Sequence, residues 1–473
     1  MNALHRDLKR LVPLAEERGR ALREGDRTRL RFHLMPPVGW MNDPNGLCWY
    51  RGNYHVFYQY GPFDPTGGVK HWGHWTSPDL LHWTQQPTAM YPDQPWDVHG
   101  VYSGSALVED DALYLYYTGN VKFAGDYDYI YEGRGHNVAL GITKDGIHIE
   151  SKQLLMENKD YPADVSCHVR DPKVWKQDGR YYMVLGARTK DDRGELLVYE
   201  SADKLNWSLC NTITTPEVFG YMWECPDLFC VDGQWILSLS PQGIKQDGYR
   251  YQNIYTCGYF PLYGDFRGEY TLGDYIETDV GFDYYAPQTF EAPDGRRIVI
   301  GWMGMPDADY TNPTATGWQH CMSAPREVHW NGERLTALPV RELEQLRENG
   351  RAAKVSGQVR LSMGEGADLM LSEILGPVRI AVGADAELSW EDGLLTLRLS
   401  EAAGYGRTER VLPLDSLTDL RILIDTTSIE VFVNGGEQTM STRYYPSAAD
   451  TLDIDGTCRV KQYDLCAMTF DWA

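Results

Sequence analysis

The sequence lacks any apolar run approaching the roughly 18 residues that a membrane-spanning helix needs. Residues 1–26 are charged throughout and contain no apolar core of the kind a secretory signal peptide requires. The nine cysteines are scattered, their number is odd and none forms a CxxC pair, which argues against a disulfide framework or a zinc site. We therefore expect a cytoplasmic protein with no membrane partner and no structural metal.

Basic residues are also scarce. The chain has 44 Lys and Arg against 67 Asp and Glu, a formal net charge of −23. A surface this acidic repels nucleic acids and anionic membranes, so neither is an expected partner. An anionic substrate would have to be met by a local basic pocket that works against the overall field.

Aromatic residues and glycine, in contrast, are abundant. Aromatics make up 12% of the 473 residues, with 31 Tyr and 15 Trp, and 46 Gly accompany them. This mixture suits many short strands joined by turns, and it suits sugar-binding clefts in which rings stack on C–H surfaces. The length favours two or more domains.

Strand-like runs rich in aromatic and β-branched residues recur through the first two thirds of the chain. They are NYHVFYQY near 53, ALYLYYTG near 112, RYYMVLGA near 180, QWILSLSP near 234 and RRIVIGWM near 297. Their starts lie about 54 to 68 residues apart, and a polar turn followed by a strand recurs between them, at 76–83, 143–149 and 201–207. This interval predicts a propeller of five blades. A row of unrelated β-domains is the weaker alternative, because the two-part pattern is shared.

The two ends of the chain have sequence patterns that differ from this repeat. Residues 3 to about 23 carry apolar positions at helical spacing, which predicts an amphipathic helix. Near 340 the segment VRELEQLRENG predicts a helical linker, and alternating runs with DG and NGG turns then predict antiparallel hairpins. We therefore predict an all-β protein with an N-terminal helical extension at 1–28, a five-bladed propeller catalytic domain at 29–339, a linker at 340–354 and a β-sandwich at 355–473.

Three acidic residues precede strand-like runs in similar surroundings. They are Asp43 in GWMNDPNG, Asp171 in HVRDPKVW and Glu224 in WECPDLF. Proline follows each acid directly or one residue later, so we expect an extended backbone at the acid. Because the innermost strands of a propeller line a central channel, acids on the first, third and fourth blades would converge at its mouth.

Three carboxylates around one pocket indicate glycosyl transfer, with one acid as nucleophile or base, one as proton donor and one holding sugar hydroxyls. The alternative is that each acid caps a turn or pairs with a nearby cation. His71 and His74, in KHWGHW, are separated by an odd number of positions and would face opposite sides of a strand. We therefore expect no metal site there, and carboxylate chemistry of this kind needs no cofactor.

With these motifs placed, the sequence resembles glycoside hydrolase family 32, the invertase and fructanase family. The resemblance covers nearly the whole chain. It rests on HLMPPVGWMNDPNGLCWYRGNYHVFYQY, VYSGSA, HVRDPKVW, WECPDLF and IDTTSIEVFVNGGEQTMSTRYYP. It implies a five-bladed propeller with a β-sandwich, and hydrolysis of β-fructofuranosides with retention of configuration.

The resemblance also implies roles for individual residues. Asp43 corresponds to the nucleophile, Glu224 to the acid/base and Asp171 to the residue that stabilises the transition state. Retention predicts that the carboxyls of Asp43 and Glu224 lie about 5–5.5 Å apart. The predicted substrate-binding residues are Asn42, Gln59, Trp72, Tyr102, Ser103 and Arg170.

Within the family, the likeness is greatest to bacterial sucrose-6-phosphate hydrolases, through SPQGIKQDGYRYQNIYTCGYF and GFDYYAPQTF. Arg250 and Lys70 are the predicted phosphate ligands. Gly61 and Gly67 depart from the family pattern, and the missing aromatic at Gly67 leaves one wall of the pocket, and with it the substrate preference, undefined by the resemblance. We expect a small fructoside, sucrose or sucrose 6-phosphate, as the substrate. Action on short fructo-oligosaccharides, transfer to a sugar acceptor and a non-catalytic sugar-binding propeller remain alternatives, as do a monomer and a homo-oligomer.

Overall fold

The computed structural model describes residues 2–23, 25–448 and 450–472. The predicted N-terminal helix is present as α1 (Ala3–Arg23), and it buries Val12 and Gly19 against the rest of the protein. No helix within the described ranges is long and apolar enough to cross a membrane. All nine cysteines are free thiols.

The first two thirds of the chain form five of the six sheets. The first two contain β1 (Gly39–Tyr50), β2 (Asn53–Gly61), β3 (His71–Ser77) and β4 (His82–Met90), then β5 (Val101–Glu109), β6 (Ala112–Lys122), β7 (Arg134–Thr143) and β8 (Ser151–Met156). The third contains β9 (Val165–Gln177), β10 (Arg180–Thr189), β11 (Gly194–Ser201) and β12 (Ser208–Ile213). A short 3-10 helix, Asn158–Asp160, precedes the third sheet.

The fourth and fifth sheets are less regular. The fourth contains β13 (Met222–Val231), β14 (Gln234–Gln242), β15 (Gly258–Gly264), β16 (Tyr270–Leu272) and β17 (Ile276–Glu277). The next strands are β18 (Tyr285–Glu291), β19 (Arg297–Met303), β20 (Trp318–Gln319), β21 (Cys321–Met322), β22 (Arg326–Trp330) and β23 (Leu335–Pro339). β20 leaves this group and pairs in parallel with β1, so it extends the first sheet.

The five predicted strand-like runs all occupy equivalent places. Each is the second strand of its sheet, namely β2, β6, β10, β14 and β19. The recurring polar turn is equivalent too, since Asp79, Asp145 and Asp203 each accept backbone N–H groups two and three residues further on. The repeat in the sequence is therefore a repeat of supersecondary structure, and the fold is an all-β propeller followed by a sandwich-like sheet.

The C-terminal part is one ten-stranded sheet with a core of its own. Its elements are β24 (Arg347–Ser362), β25 (Ala367–Ser372), β26 (Val378–Val382), β27 (Ala386–Glu391), β28 (Leu394–Leu399), the short helix α2 (Glu401–Gly404), β29 (Glu409–Pro413), β30 (Asp419–Asp425), β31 (Ser428–Val433), β32 (Gln438–Arg443) and β33 (Thr451–Leu465). A last strand, β34 (Thr469–Trp472), returns to the first sheet and pairs in parallel with β4.

The predicted helical linker at 340–354 is wrong in its second half. A 3-10 helix spans Arg341–Leu346, where Leu343 and Leu346 are buried. From Arg347 onward the chain is strand β24, because it pairs with β33 along its whole length. Pairing across the sheet overrides the helical propensity of the charged sequence.

A buried charge network joins the propeller to the C-terminal sheet. Arg326, on β22, is fully buried and donates to Glu430 Oε2 on β31 at 2.6 Å and to Asp279 Oδ2 at 3.3 Å. His33 lies 2.8 Å from Glu430 Oε1 and 2.7 Å from Asp425 Oδ2. Since every charge here has an opposite partner, the network fixes the relative position of the two parts.

Candidate active site

The three predicted acids converge. Asp43, Asp171 and Glu224 line one pocket of about 350 Å³ at the centre of the propeller, although they lie on β1, β9 and β13 of three different sheets. All residues that line this pocket fall between positions 40 and 307, so the C-terminal sheet does not contribute to it. The predicted convergence of acids from the first, third and fourth repeats is confirmed.

An irregularity in strand pairing places each of these side chains. In each of the first five sheets, the first strand slips relative to the second at the level of the pocket. The slips fall at residues 42–43, 102–103, 171–172, 225–226 and 286–287. Such bulges bend the strand and redirect side chains, here toward the channel.

The expectation of an extended backbone at the acids holds only in part. GWMNDPNG is part of strand β1, which bends at its bulge. Asp171 is not extended, since its φ of 64° lies in the left-handed region, as does the φ of 47° at Cys225. A proline placed after the acid does exclude helix, but the bulge decides the conformation.

The carboxylate of Asp43 is held from several directions. Asn42 Nδ2 donates to its Oδ1 at 3.1 Å, whereas Gln59 Nε2 at 2.9 Å and Ser103 Oγ at 2.5 Å donate to its Oδ2. The thiol of Cys225 lies 3.7 Å from the same Oδ2. The side chain is thereby fixed in one orientation at the base of the pocket.

Asp171 and Cys225 form a second contact between sheets. The backbone N–H of Cys225 donates to Asp171 Oδ2 at 2.9 Å, and the backbone N–H of Asp171 donates to Thr118 Oγ1 at 2.9 Å. Cys225 thus touches both Asp43 and Asp171 while Glu224 precedes it in the chain. The residue couples the positions of all three acids.

Two side chains bind the Glu224 carboxylate. Arg170 donates to Oε1 through both Nε, at 3.2 Å, and Nη2. The Tyr285 hydroxyl donates to Oε2 at 2.6 Å. Arg170 is itself braced by His168, whose Nδ1 lies 2.8 Å from Nη1.

Burial dominates the electrostatics of the pocket. Desolvation raises the pKa of Asp43, and hydrogen bonds from Ser103 and Asn42 oppose that change. Desolvation also raises the pKa of Asp171 to about 7, although the Arg170 guanidinium counteracts it. Because several carboxyls share a poorly hydrated space with few cations, they cannot all ionise at low cost.

Of the six predicted substrate-binding residues, four line the pocket, one is buried beside Asp43 and one lies in the hydrophobic core. Asn42, Gln59, Tyr102 and Arg170 line the pocket, where a ligand can reach them. Ser103 is fully buried and contacts the Asp43 carboxylate.

Trp72 is a correction, because it does not line the pocket. It is fully buried in a hydrophobic cluster with Phe57 and Tyr117, and its indole N–H donates to the backbone carbonyl of Tyr102 at 3.0 Å. Strand β3 is buried on both faces, so alternation along the strand could not indicate which tryptophan faces a ligand.

The two predicted phosphate ligands differ. Lys70 lines the pocket with its Nζ 4.7 Å from the centre of the Trp40 ring, and burial lowers its pKa to about 8. Arg250 is a second correction: it is exposed, bonds to Tyr251 and the Tyr275 carbonyl, and does not line this pocket. The exposed loop that carries Arg250 keeps it away from the pocket.

Gly61 and Gly67, which depart from the family pattern, pack together, and Gly67 lies next to Lys70. A Cβ at Gly61 would approach the Gly67 carbonyl oxygen to 2.7 Å, so the two glycines allow their backbones to pack together. A Cβ at Gly67 would lie 4.0 Å from Lys70 Nζ. The missing side chain therefore leaves space beside the ammonium group.

Sequence reasoning missed several residues of the pocket wall. They are Trp40, Arg134, His136, Tyr285, Trp302, Met305, Pro306 and Asp307. Trp40 lies in GWMNDPNG and Tyr285 lies in GFDYYAPQTF, so a sequence motif could have indicated both as pocket residues. Arg134 and Asp307 had no such signal, because Arg134 begins β7 and Asp307 lies in the loop after β19, both outside the motifs.

Some of these wall residues carry unsatisfied polar atoms. Arg134 Nε, both ring nitrogens of His136 and Trp302 Nε1 are buried without a hydrogen-bond partner among the described residues. Burying such groups without a partner costs free energy. Within the described part of the chain no cluster of His, Cys, Asp and Glu is suited to hold a metal.

Comparisons with known proteins agree with this geometry. The family model described as Glycosyl hydrolases family 32 N-terminal domain matches residues 33–339, and Glycosyl hydrolases family 32 C terminal matches 391–456. A sucrose-6-phosphate hydrolase of Bacillus subtilis (strain 168) is 37% identical over 463 residues, covering 94% of this chain and 95% of that protein. A raffinose invertase of Escherichia coli is 37% identical over 457 residues, covering 88% of this chain and 89% of that protein.

Solved structures of two enzymes are similar over their whole length. A sucrose-6-phosphate hydrolase from Lactobacillus gasseri superposes with a TM-score of 0.87 at 29% identity, covering 96% of this chain and 97% of that one. A Bombyx mori beta-fructofuranosidase in complex with sucrose gives a TM-score of 0.86 at 30% identity, covering 98% of this chain and 99% of that one.

Proposed function

Because the chain belongs to glycosyl hydrolase family 32, we propose that it is a retaining β-fructofuranosidase that hydrolyses sucrose 6-phosphate or sucrose. The observation that carries the proposal is the convergence of Asp43, Asp171 and Glu224 in one pocket. The names of the relatives support the choice of a phosphorylated or free sucrose.

We assign the nucleophilic role to Asp43. Its Oδ1 keeps one hydrogen bond, from Asn42, whereas Oδ2 accepts from Gln59 and Ser103. The less encumbered Oδ1 attacks the anomeric carbon C2 of the fructosyl group, and the bond from C2 to the leaving oxygen breaks. The raised pKa of Asp43 reflects a carboxylate that burial leaves weakly solvated and therefore more reactive.

We assign the acid/base role to Glu224. It gives its proton to the leaving glucosyl oxygen, and in the second step it removes a proton from the water that attacks the fructosyl-enzyme. Arg170 and Tyr285 hold both of its oxygens, so the carboxyl is positioned before substrate arrives. Asp171 faces the same space and holds fructosyl hydroxyls as positive charge develops on the ring.

Lys70 is the phosphate ligand that we retain. It lines the pocket, has no ion-pair partner among the described residues, and lies beside the space that Gly67 leaves open. In a protein of net charge −23, such a half-buried and unpaired cation is the local basic group that an anionic substrate requires.

The decisive experiment compares kcat/KM for sucrose 6-phosphate, sucrose, kestose and inulin. A preference of about tenfold for the phosphorylated sugar corresponds to about 1.4 kcal/mol of transition-state binding and would support the phosphate subsite. Equal values for sucrose and its phosphate would remove that subsite but keep the fructosidase. No turnover of any of the four would contradict the proposed function itself.

We also propose that the five sheets are the five blades of a single propeller. The first strands make neighbouring contacts in the order β1, β5, β9, β13 and β18, and β18 contacts β1 again. Such a cycle is what five blades around a channel require. The domain boundaries near 29 and 339 and the cytoplasmic location remain predictions.

A further inference from the structure

Four leucines of helix α1 face outward, although the helix is packed on the propeller. Leu4, Leu11, Leu14 and Leu22 are 40%, 42%, 46% and 50% exposed. A leucine exposed singly needs no explanation, whereas apolar residues grouped on one exposed face mark an interaction site. The outer face of α1 therefore has the composition of an interface.

The inner face of α1 is fixed to the rest of the protein. Val12 and Gly19 are buried, and a Cβ at Gly19 would approach Val38 Cγ2 to 2.7 Å. The Tyr60 hydroxyl donates to Glu16 Oε1 at 3.1 Å. An isolated helix of this length would be marginal in water, but α1 is already folded and held in place. A partner that binds its outer face therefore meets a preorganised surface.

The outer residues follow the spacing of a coiled-coil seam. The α1 seam consists of six exposed residues, Leu4, Asp7, Leu11, Leu14, Arg18 and Ala21. They are separated alternately by three and four positions, so they form one row along the helix. Such a row packs against a matching row on a second helix.

The charges in the α1 seam select an antiparallel second copy of the same helix. If two α1 helices pair antiparallel about a two-fold axis between positions 12 and 13, Leu11 lies opposite Leu14 of the second copy. Asp7 then lies opposite Arg18 of the second copy, and the symmetry repeats both contacts. A parallel pair would place Asp7 against Asp7 and Arg18 against Arg18, which like-charge repulsion disfavours.

Charges beside the α1 seam fit the same orientation. Arg10 and Glu17 are exposed on the side of the helix opposite Val12 and Gly19. In the antiparallel pair, Arg10 approaches Glu17 of the second copy. Within its own helix, Arg10 Nη2 lies 3.7 Å from Asp7 Oδ1. Exposed ion pairs add little affinity, so their main effect is to set the orientation of the two helices.

We propose that the outer face of α1 is a homodimer interface, at which two copies of this protein pair their α1 helices antiparallel through the α1 seam. A helix of 21 residues is about 31 Å long and about 10 Å wide, which is small against the roughly 800 Å² per partner of a standard interface. The dissociation constant is therefore in the micromolar range. The net charge of −23 disfavours an anionic membrane as the partner.

Sedimentation velocity between about 0.5 and 100 μM tests the dimer. The wild type should change from monomer to dimer over this range. Leu11→Glu should weaken dimerisation at least tenfold, because it places carboxylates against the apolar centre of the seam. Leu209→Glu is the matched control, since Leu209 on β12 is 44% exposed, and it should dimerise like the wild type. If Leu11→Glu does not fold, Leu4→Glu near the end of the helix replaces it.

Two outcomes would overturn the dimer. One is a wild type that stays monomeric over the whole range, and the other is equal dimerisation of the wild type and the seam variant. If the monomeric wild type instead floated with vesicles of phosphatidylcholine and phosphatidylglycerol, the face would bind membranes and the proposal would be wrong. None of the seam residues lines the catalytic pocket, so the result is independent of the proposed reaction.

Reversal of the seam charges tests the orientation. Asp7→Arg and Arg18→Asp should each weaken dimerisation by about fivefold, because each brings like charges together at two places. The double variant restores opposite charges in the antiparallel pair and should recover most of the affinity. In a parallel pair each position faces itself, so the double variant would not recover. A double variant as weak as the single ones would therefore overturn the antiparallel arrangement.

Discussion

The hydroxyl of Tyr285 donates a 2.6 Å hydrogen bond to Oε2 of Glu224, and the two residues come from neighbouring sheets of the propeller. Tyr285 begins β18, one residue before the bulge at 286–287. The bond fixes the oxygen of Glu224 that Arg170 does not hold. Positioning of the proposed acid/base thus depends on a residue outside the acidic motifs.

Tyr285→Phe removes this bond and keeps the ring. A hydrogen bond to a charged group contributes about 1.5–3 kcal/mol, so we expect kcat/KM to fall by about 10- to 100-fold. KM should change less than kcat, because the variant disturbs the orientation of Glu224 rather than substrate contacts. The control is Tyr221→Phe, which removes a hydroxyl that lies 3.3 Å from the Tyr255 hydroxyl and not on Glu224. This variant should keep its activity. Equal losses in both variants would contradict the positioning role.

Asp43→Asn should lower kcat by roughly four orders of magnitude or more, because the amide cannot form the fructosyl-enzyme. The same variant should be at least as stable as the wild type at pH 7. Burial raises the pKa of Asp43, which means that its charge is unfavourable in the folded state. Urea unfolding and steady-state kinetics on one preparation test both expectations. Substantial activity in Asp43→Asn would show that the nucleophile is misassigned.

With an aryl fructoside such as p-nitrophenyl β-D-fructofuranoside, whose leaving group needs no protonation, Glu224→Ala should lose most activity and regain part of it with sodium azide. Azide attacks the fructosyl-enzyme without a general base, so the missing carboxylate no longer limits that step. The product should be the β-configured fructosyl azide, which NMR identifies. In Asp43→Ala, azide can replace only the nucleophile and would give the opposite anomer. A β-product from Asp43→Ala would contradict the double displacement.

Lys70 should make the preference for sucrose 6-phosphate depend on pH. Burial lowers its pKa to about 8, so the ammonium is charged below pH 8 and neutral above it. Because kcat/KM reports the free enzyme, the ratio of kcat/KM for the phosphorylated sugar to that for sucrose should fall as pH rises through 8. Lys70→Arg should keep the ratio high at pH 9, and Lys70→Met should give a low ratio at every pH. A ratio that does not change in Lys70→Met would exclude this phosphate contact.

His33 should stabilise the protein only while it is protonated. The carboxylates of Asp425 and Glu430 raise its pKa to about 9 in spite of burial. The folded pKa exceeds the unfolded value of 6.5, so this stabilisation is complete below pH 6.5 and is lost as pH rises through 9. His33→Leu leaves two buried carboxylates without this partner and should cost roughly 3–5 kcal/mol at pH 7.

Urea unfolding of both proteins between pH 6 and pH 10 measures this effect. The difference between wild type and His33→Leu should shrink at the alkaline end. Exposed His148, which pairs with Asp145, provides the control substitution His148→Leu, for which no such loss is expected.

The strands and the three acids could be predicted because each is marked by a short sequence pattern that recurs along the chain. Each aromatic-rich run became the second strand of a sheet, and each acid followed by proline reached the pocket at a bulge. The sequence carried no sign of the bulges themselves. The left-handed φ of Asp171 could not be predicted for that reason.

The walls of the pocket were predicted less well than its base. Trp72 is in the core while Trp40, on β1, lines the pocket. Both faces of β3 are buried, so sequence periodicity does not show which way Trp72 points. Lys70 reaches the pocket and Arg250 does not, because loop geometry decides where each cation lies. Contacts between sheets, such as that of Arg170 with Glu224, form because the two sheets are neighbours in the fold. The sequence motifs do not show these contacts.

The parallel pairing of β34 with β4 has a consequence for biosynthesis. The first sheet is among the earliest segments to leave the ribosome, yet one of its edges is covered by strand synthesised after the whole C-terminal sheet. Until Thr469–Trp472 is made, β4 presents unpaired backbone groups that another chain can engage. The nascent protein must therefore keep an incomplete first sheet from associating with its neighbours, and chaperones that shield this edge would raise the yield of native protein.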